Sequence, residues 1–132
     1  MSSVALDGTC SHAALPCGEL VNWTFWYTAT AGGAVTYAFD GMEGVPYKIT
    51  SIPLGTQTNS PNVKLVHVPA NDDLLNGLAS AVSPTTVDTY FVNYADALAK
   101  RRHAAGLMEL RITGADNGAQ GRIVITMMPG GD

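Results

Sequence analysis

The sequence predicts a mostly β domain: an antiparallel β-sandwich or jelly-roll-like barrel, with an irregular N-terminal arm and at most one or two short helices. Three observations predict it. Several short stretches alternate apolar and polar residues with the period of two that sets the faces of a strand. Gly, Pro, Asn and Asp collect between those stretches, where turns need them. No regular strand–helix alternation of the parallel-sheet kind runs through the chain.

Residues 1–18 read as an extended arm, rich in Ser, Ala and Gly and closed by Pro16 and Gly18. Arms of this composition tend to order against a neighbour. Residues 19–132 read as one domain, a size that buries a core without metals or staples. The first strong strand is Leu20 to Thr28. Val21, Trp23, Phe25 and Tyr27 alternate with Asn22, Thr24, Trp26 and Thr28. The first set places three aromatics on one face, enough to anchor a core, and Trp26 falls on the other. Gly32-Gly33 offers a hairpin turn into Val35, Tyr37 and Phe39.

Asp40-Gly41 marks another turn. Tyr47 to Ile52 reads as a strand between Pro46 and Pro53, and Val63 to Val68 as a well-buried strand ended by Pro69. Asn71 to Val82 is ambiguous: Asp72 can cap a helical turn, but Gly77 and Pro84 keep any helix short. Thr85 to Val92 reads as strand. Tyr94 to Ala105 is the best helical candidate, with many alanines and an Asp96–Lys100 pair, and reads equally as loop. Met108, Leu110 and Ile112, then Ile123, Ile125 and Met127, alternate with polar neighbours around Asp116-Asn117-Gly118, the pattern of a hairpin with one buried face.

Composition narrows the function. Of 132 residues, 46% are hydrophobic and 14% charged. A free-standing soluble domain carries about a quarter charged residues, so a surface this short of charge is suited to being covered by neighbours. The net charge of −4 opposes a general nucleic-acid role, which needs an excess of Lys and Arg. No apolar run approaches the length of a membrane helix. Met1 to Leu6 lacks the pattern of a secretory signal, which makes the expected site of synthesis the cytoplasm.

Chemistry is sparse. The chain has no nucleophile elbow, no zinc-protease motif, no phosphate-binding loop and no dinucleotide fingerprint. The expectation is no enzyme, no cofactor and no metal. Cys10 and Cys17 read as free thiols ahead of a short-loop disulfide, and with His12 they lack a local fourth metal ligand. Asp72-Asp73 reads as a turn cap rather than a calcium site. A hydrolase site assembled only by the fold is the remaining enzymatic alternative.

Two features suit protein contact. Trp26 is a candidate for an exposed or partner-covered aromatic, since tryptophan is enriched at the centres of protein contacts; with Trp23 and Tyr27 it also raises a sugar-stacking platform, although Trp23 and Trp26 do not share a strand face. Lys100, Arg101 and Arg102, followed by His103, form the dense basic run of an acidic chain. They read either as a solvated loop or helix end, or as a docking point for an acidic partner surface, a task the planar arginine fork suits.

Three stretches carry a resemblance. They are Trp23-Thr24 through Thr30-Ala31-Gly32-Gly33-Ala34-Val35; Pro61-Asn62-Val63-Lys64-Leu65 with Asn71-Asp72-Asp73-Leu74-Leu75-Asn76-Gly77; and Leu107 to Ile112 with Ala115-Asp116-Asn117-Gly118, Gly121 and Ile123 to Met127. Together they resemble small β-sandwich structural proteins of tailed bacteriophage virions, over roughly residues 20 to 128. The motifs are strand patterning and turns, with no catalytic signature. Residues 1–18 and 94–106 depart from the pattern. The resemblance implies a role on the phage particle, preferentially capsid decoration or cement across major-capsid-protein seams, with a trimer as the favoured assembly. A tail, neck or fibre-base component and a glycan-binding module are the alternatives.

Overall fold

In the computed structural model, residues 21–30, 32–55, 57–75, 77–92 and 104–128 are described, with the backbone alone for 6–10. Nine strands form among the described residues: β1 (Leu6–Cys10), β2 (Val21–Thr28), β3 (Val35–Phe39), β4 (Val45–Leu54), β5 (Asn62–His67), β6 (Asp72–Asp73), β7 (Asp88–Phe91), β8 (Met108–Thr113) and β9 (Gln120–Met128). They make two antiparallel sheets, ordered β1-β2-β9-β4-β7 (sheet A) and β3-β8-β5-β6 (sheet B). Each of β2, β3, β4 and β5 pairs with β9, β8, β7 and β6 in turn. This nesting is what results when one long antiparallel ribbon is wrapped round, the arrangement of a double-sheet jelly roll. The two sheets pack as an open sandwich and do not close into a barrel.

One core lies between the sheets. β2 and β9 contribute Phe25, Tyr27, Ile123, Ile125 and Met127; β8 and β5 contribute Met108, Leu110, Ile112, Val63 and Leu65, all buried. An aromatic cluster joins the layers: the Phe25 ring lies 5.2 Å from Phe39 and 6.5 Å edge-on from Tyr37, and Trp23 packs 6.1 Å from Phe39. Alternation along β2 puts these rings inward and leaves Trp26 outside.

The structure revises several sequence expectations. Part of the irregular arm is strand: Leu6–Cys10 pairs with Val21–Phe25, giving its backbone groups partners that an unpaired arm lacks. Gly32-Gly33 is not a hairpin turn, because β2 and β3 belong to different sheets. It is a corner. Gly33 has φ +71°, and a Cβ there would lie 1.9 Å from the Ala115 carbonyl oxygen. Its own carbonyl accepts the Ala115 N–H at 3.0 Å. Likewise β8 and β9 form no hairpin; the 114–119 connection carries the chain from sheet B to sheet A. Alternation fixed which side chains face inward, but two strands facing each other across a core alternate just as two paired strands do.

Between Asn71 and Val82 the chain forms β6 and turns rather than a helix. The Asp73 carboxylate accepts the N–H groups of Leu65, Leu75 and Gly77 at 3.0 to 3.2 Å, so a side chain takes over the backbone partners that a helix would supply. Of Thr85 to Val92, only Asp88–Phe91 is strand; Ser83 Oγ accepts the N–H groups of Thr85 and Thr86 and holds that stretch in a turn. Most of the helical candidate at 94–105 lies outside the described residues, and at its end Ala104 makes an antiparallel bridge to Gly44.

Candidate docking face

The outer face of sheet A is built by register. Going along the strands, four rows cross it: Thr28, Gln120 and Leu54; Trp26, Arg122 and Ile52; Thr24, Val124, Thr50 and Thr89; and Asn22, Thr126, Lys48 and Phe91. Side chains in a row sit on one face, within reach of each other. Trp26 is 42% exposed and Phe91 57%. The Arg122 guanidinium lies over the Trp26 ring, 4.8 Å from its centroid, and Lys48 Nζ lies 5.9 Å from the Phe91 centroid. A β-bulge between Pro46 and Lys48 leaves Tyr47 without a partner on β9, and its ring meets Phe91 edge-on at 5.7 Å.

Two pairs of polar groups on this face satisfy one another. Thr126 Oγ1 donates to Asn22 Oδ1 at 2.6 Å, and the hydroxyls of Thr50 and Thr89 are 3.3 Å apart. Thr126 is thereby buried at 3% exposure although it lies on the outer side. Among the described side chains of β2, β4, β7 and β9, none of those on this face is acidic: Asp88 turns to the other side, where its Oδ2 accepts the Ser83 N–H and the Tyr90 hydroxyl. Burial first, and then the Asp88 carboxylate, push the Tyr90 hydroxyl above its ordinary pKa.

Sheet B presents the opposite character. Thr36, Ala38, Lys64, Glu109 and Arg111 line its outer face by register, and Arg111 bridges Glu109 at 2.7 Å. On that surface the acid and one of the two cations neutralise each other. The contrast singles out sheet A: exposed aromatics and two cations with no acid partner among the described residues suit contact with another macromolecule.

At the Leu54 end, a cleft of about 310 Å³ is lined by Leu54, Gly55, Gln57 and residues 116–120. Gln57 Nε2 donates to the carbonyls of Leu54 and Gln120 at 3.1 and 2.5 Å, tying the end of β4 to the start of β9. Its Oε1 is enclosed and has no partner. Asp116 closes the other wall by accepting the N–H groups of Thr58 and Asn59.

Of the site residues expected from sequence, Trp26 lies on this face. Lys100, Arg101 and Arg102 lie outside the described residues, as do the Cys10 side chain and Cys17. Arg122 and Phe91 were missed. The outward phase of Arg122 was legible, but that of Phe91 and the register that sets Arg122 beside Trp26 were not. Among the described residues no group of three His, Cys, Asp or Glu side chains could hold a metal ion, and no helix is long and apolar enough to cross a membrane. Comparison with protein-family models, curated proteins and solved structures finds no match.

Proposed function

We propose that this chain is a virion structural protein of a tailed bacteriophage, a capsid decoration or cement protein that binds across seams between major capsid proteins and has no catalytic activity. The observation that carries the reading is the outer face of sheet A, with its Trp26–Arg122 pair. It joins the sequence resemblance and the low charge. The jelly-roll strand order fits but does not choose, since viral capsid, lectin and cupin domains share it. A rigid sandwich that makes contacts present only in the assembled shell stabilises that shell by mass action. The chain would be made in the host cytoplasm and end on the capsid surface, with the shell and further copies of itself, a trimer by preference, as partners. Neither nucleic acid nor membrane is among them.

The test is to locate labelled protein by imaging on the particles that carry it, and to measure binding of purified variants to particles lacking it. Trp26→Ala is expected to abolish most binding while the fold persists; Arg101→Ala with Arg102→Ala is expected to weaken it. Label at the tail, neck or fibre base moves the protein within the virion. A second reading, a glycan-binding module, is favoured by the exposed Trp26 ring and the polar cleft at the Leu54 end of the same sheet. Tryptophan fluorescence that responds to sugars, with hits on a glycan array, would select it.

A further inference from the structure

The carboxylates divide into engaged and unengaged. Glu109 is bridged by Arg111, and Asp73, Asp88 and Asp116 accept hydrogen bonds. Asp40 and Glu43 are exposed and make no hydrogen bond or ion pair among the described residues. Both belong to the loop between β3 and β4, next to the Val45 end of sheet A. Among the described residues Arg122 also has no carboxylate partner, and its buried Nε donates to nothing. It lies opposite Ile52, so it is displaced from the Val45 end by about 23 Å at ~3.3 Å per residue. The unengaged acidic loop and the Trp26–Arg122 pair therefore stand well apart along one sheet, with Lys48 and Phe91 between them.

We propose that copies of this chain associate head to tail, with the Trp26–Arg122 face of one copy receiving the Asp40–Glu43 loop of the next. The proposal rests on reading sheet A as a contact face and not on the virion setting; it makes a further copy the occupant of the Trp26–Arg122 pair, so that the loss of particle binding expected for Trp26→Ala follows from lost self-association. The occupant follows from charge. Two such faces meeting symmetrically would set two cationic faces, with Lys48 and Arg122 on each, against one another, and like charges in a contact oppose it. The chain's own exposed acids supply the complement, and the arginine fork donates two hydrogen bonds to a carboxylate while Trp26 excludes water around it. A contact between two different surfaces closes into a ring or runs on as a filament, according to the rotation it imposes.

Sedimentation velocity of the purified chain over a wide concentration range, at low and high salt, tests this. The wild type is expected to self-associate, more weakly in salt. Arg122→Glu alone, or Asp40→Lys with Glu43→Lys, is expected to weaken association at least about 30-fold, and all three together to restore it. Lys64→Glu on sheet B is the control and is expected to change nothing. If Arg122→Glu does not fold, the loop pair carries the test. A wild type that stays monomeric throughout, association that survives the loop reversal, or a folded triple variant that does not recover would overturn the contact. A monomer that still binds particles through Trp26 would overturn the head-to-tail contact and leave the docking face standing.

Discussion

Arg122 on β9 and Trp26 on β2 face each other across one register position, with the guanidinium 4.8 Å from the ring centroid. Both side chains sit on the outside of the sheet, so their mutual attraction adds little to the core. The pair holds a planar cation and a flat ring in one fixed surface arrangement, which limits the ordering that a contact would otherwise require.

Trp26→Ala is therefore expected to cost about 1 kcal/mol or less in folding stability, the size of an exposed cation–π contact. Urea unfolding followed by circular dichroism measures it. A loss of several kcal/mol would mean that the ring is part of the core, against its position.

Phe25→Ala is the opposite case. The ring is fully buried between the sheets and touches Tyr37 and Phe39, so about 3–5 kcal/mol should be lost. Trp23 is only partly buried against the same cluster; Trp23→Ala should cost less than Phe25→Ala despite removing more atoms. The order of the two unfolding midpoints checks this.

Gly33→Ala is expected to be among the most damaging single-methyl additions. The backbone has φ +71°, and the new Cβ would overlap the Ala115 carbonyl. Strain and overlap together should cost about 2–4 kcal/mol. Gly32→Ala, where a Cβ meets nothing within 4 Å, is the matched control and should change the unfolding midpoint little.

Alkaline stability should fall above pH 10. Burial raises the Tyr27 hydroxyl above its ordinary pKa of 10.0. The unfolded chain then loses this proton first, so the contribution is complete below pH 10 and disappears as pH rises through the higher folded value. Urea midpoints from pH 8 to 11 should show the decline, and Tyr27→Phe should flatten it. Tyr90, raised in the same direction, adds to the slope and is separated by Tyr90→Phe.

The sequence by itself determined which way side chains face. A strand's period is two whatever lies beside it, so Phe25 and Tyr27 inward, Trp26 outward, and the inward sets Met108–Leu110–Ile112 and Ile123–Ile125–Met127 were all legible, and with them the mostly β class. Tertiary structure alone decided who pairs with whom. Gly32-Gly33 and the 114–119 connection read as hairpin turns because a strand crossing to the opposite sheet buries the same face as one that folds back. The choice between them is made by packing across the core and by contacts such as Gly33 with Ala115, which are remote in sequence. For the same reason Trp26 could be singled out from sequence while Arg122, 96 residues later, joined it only once β2 and β9 were in register.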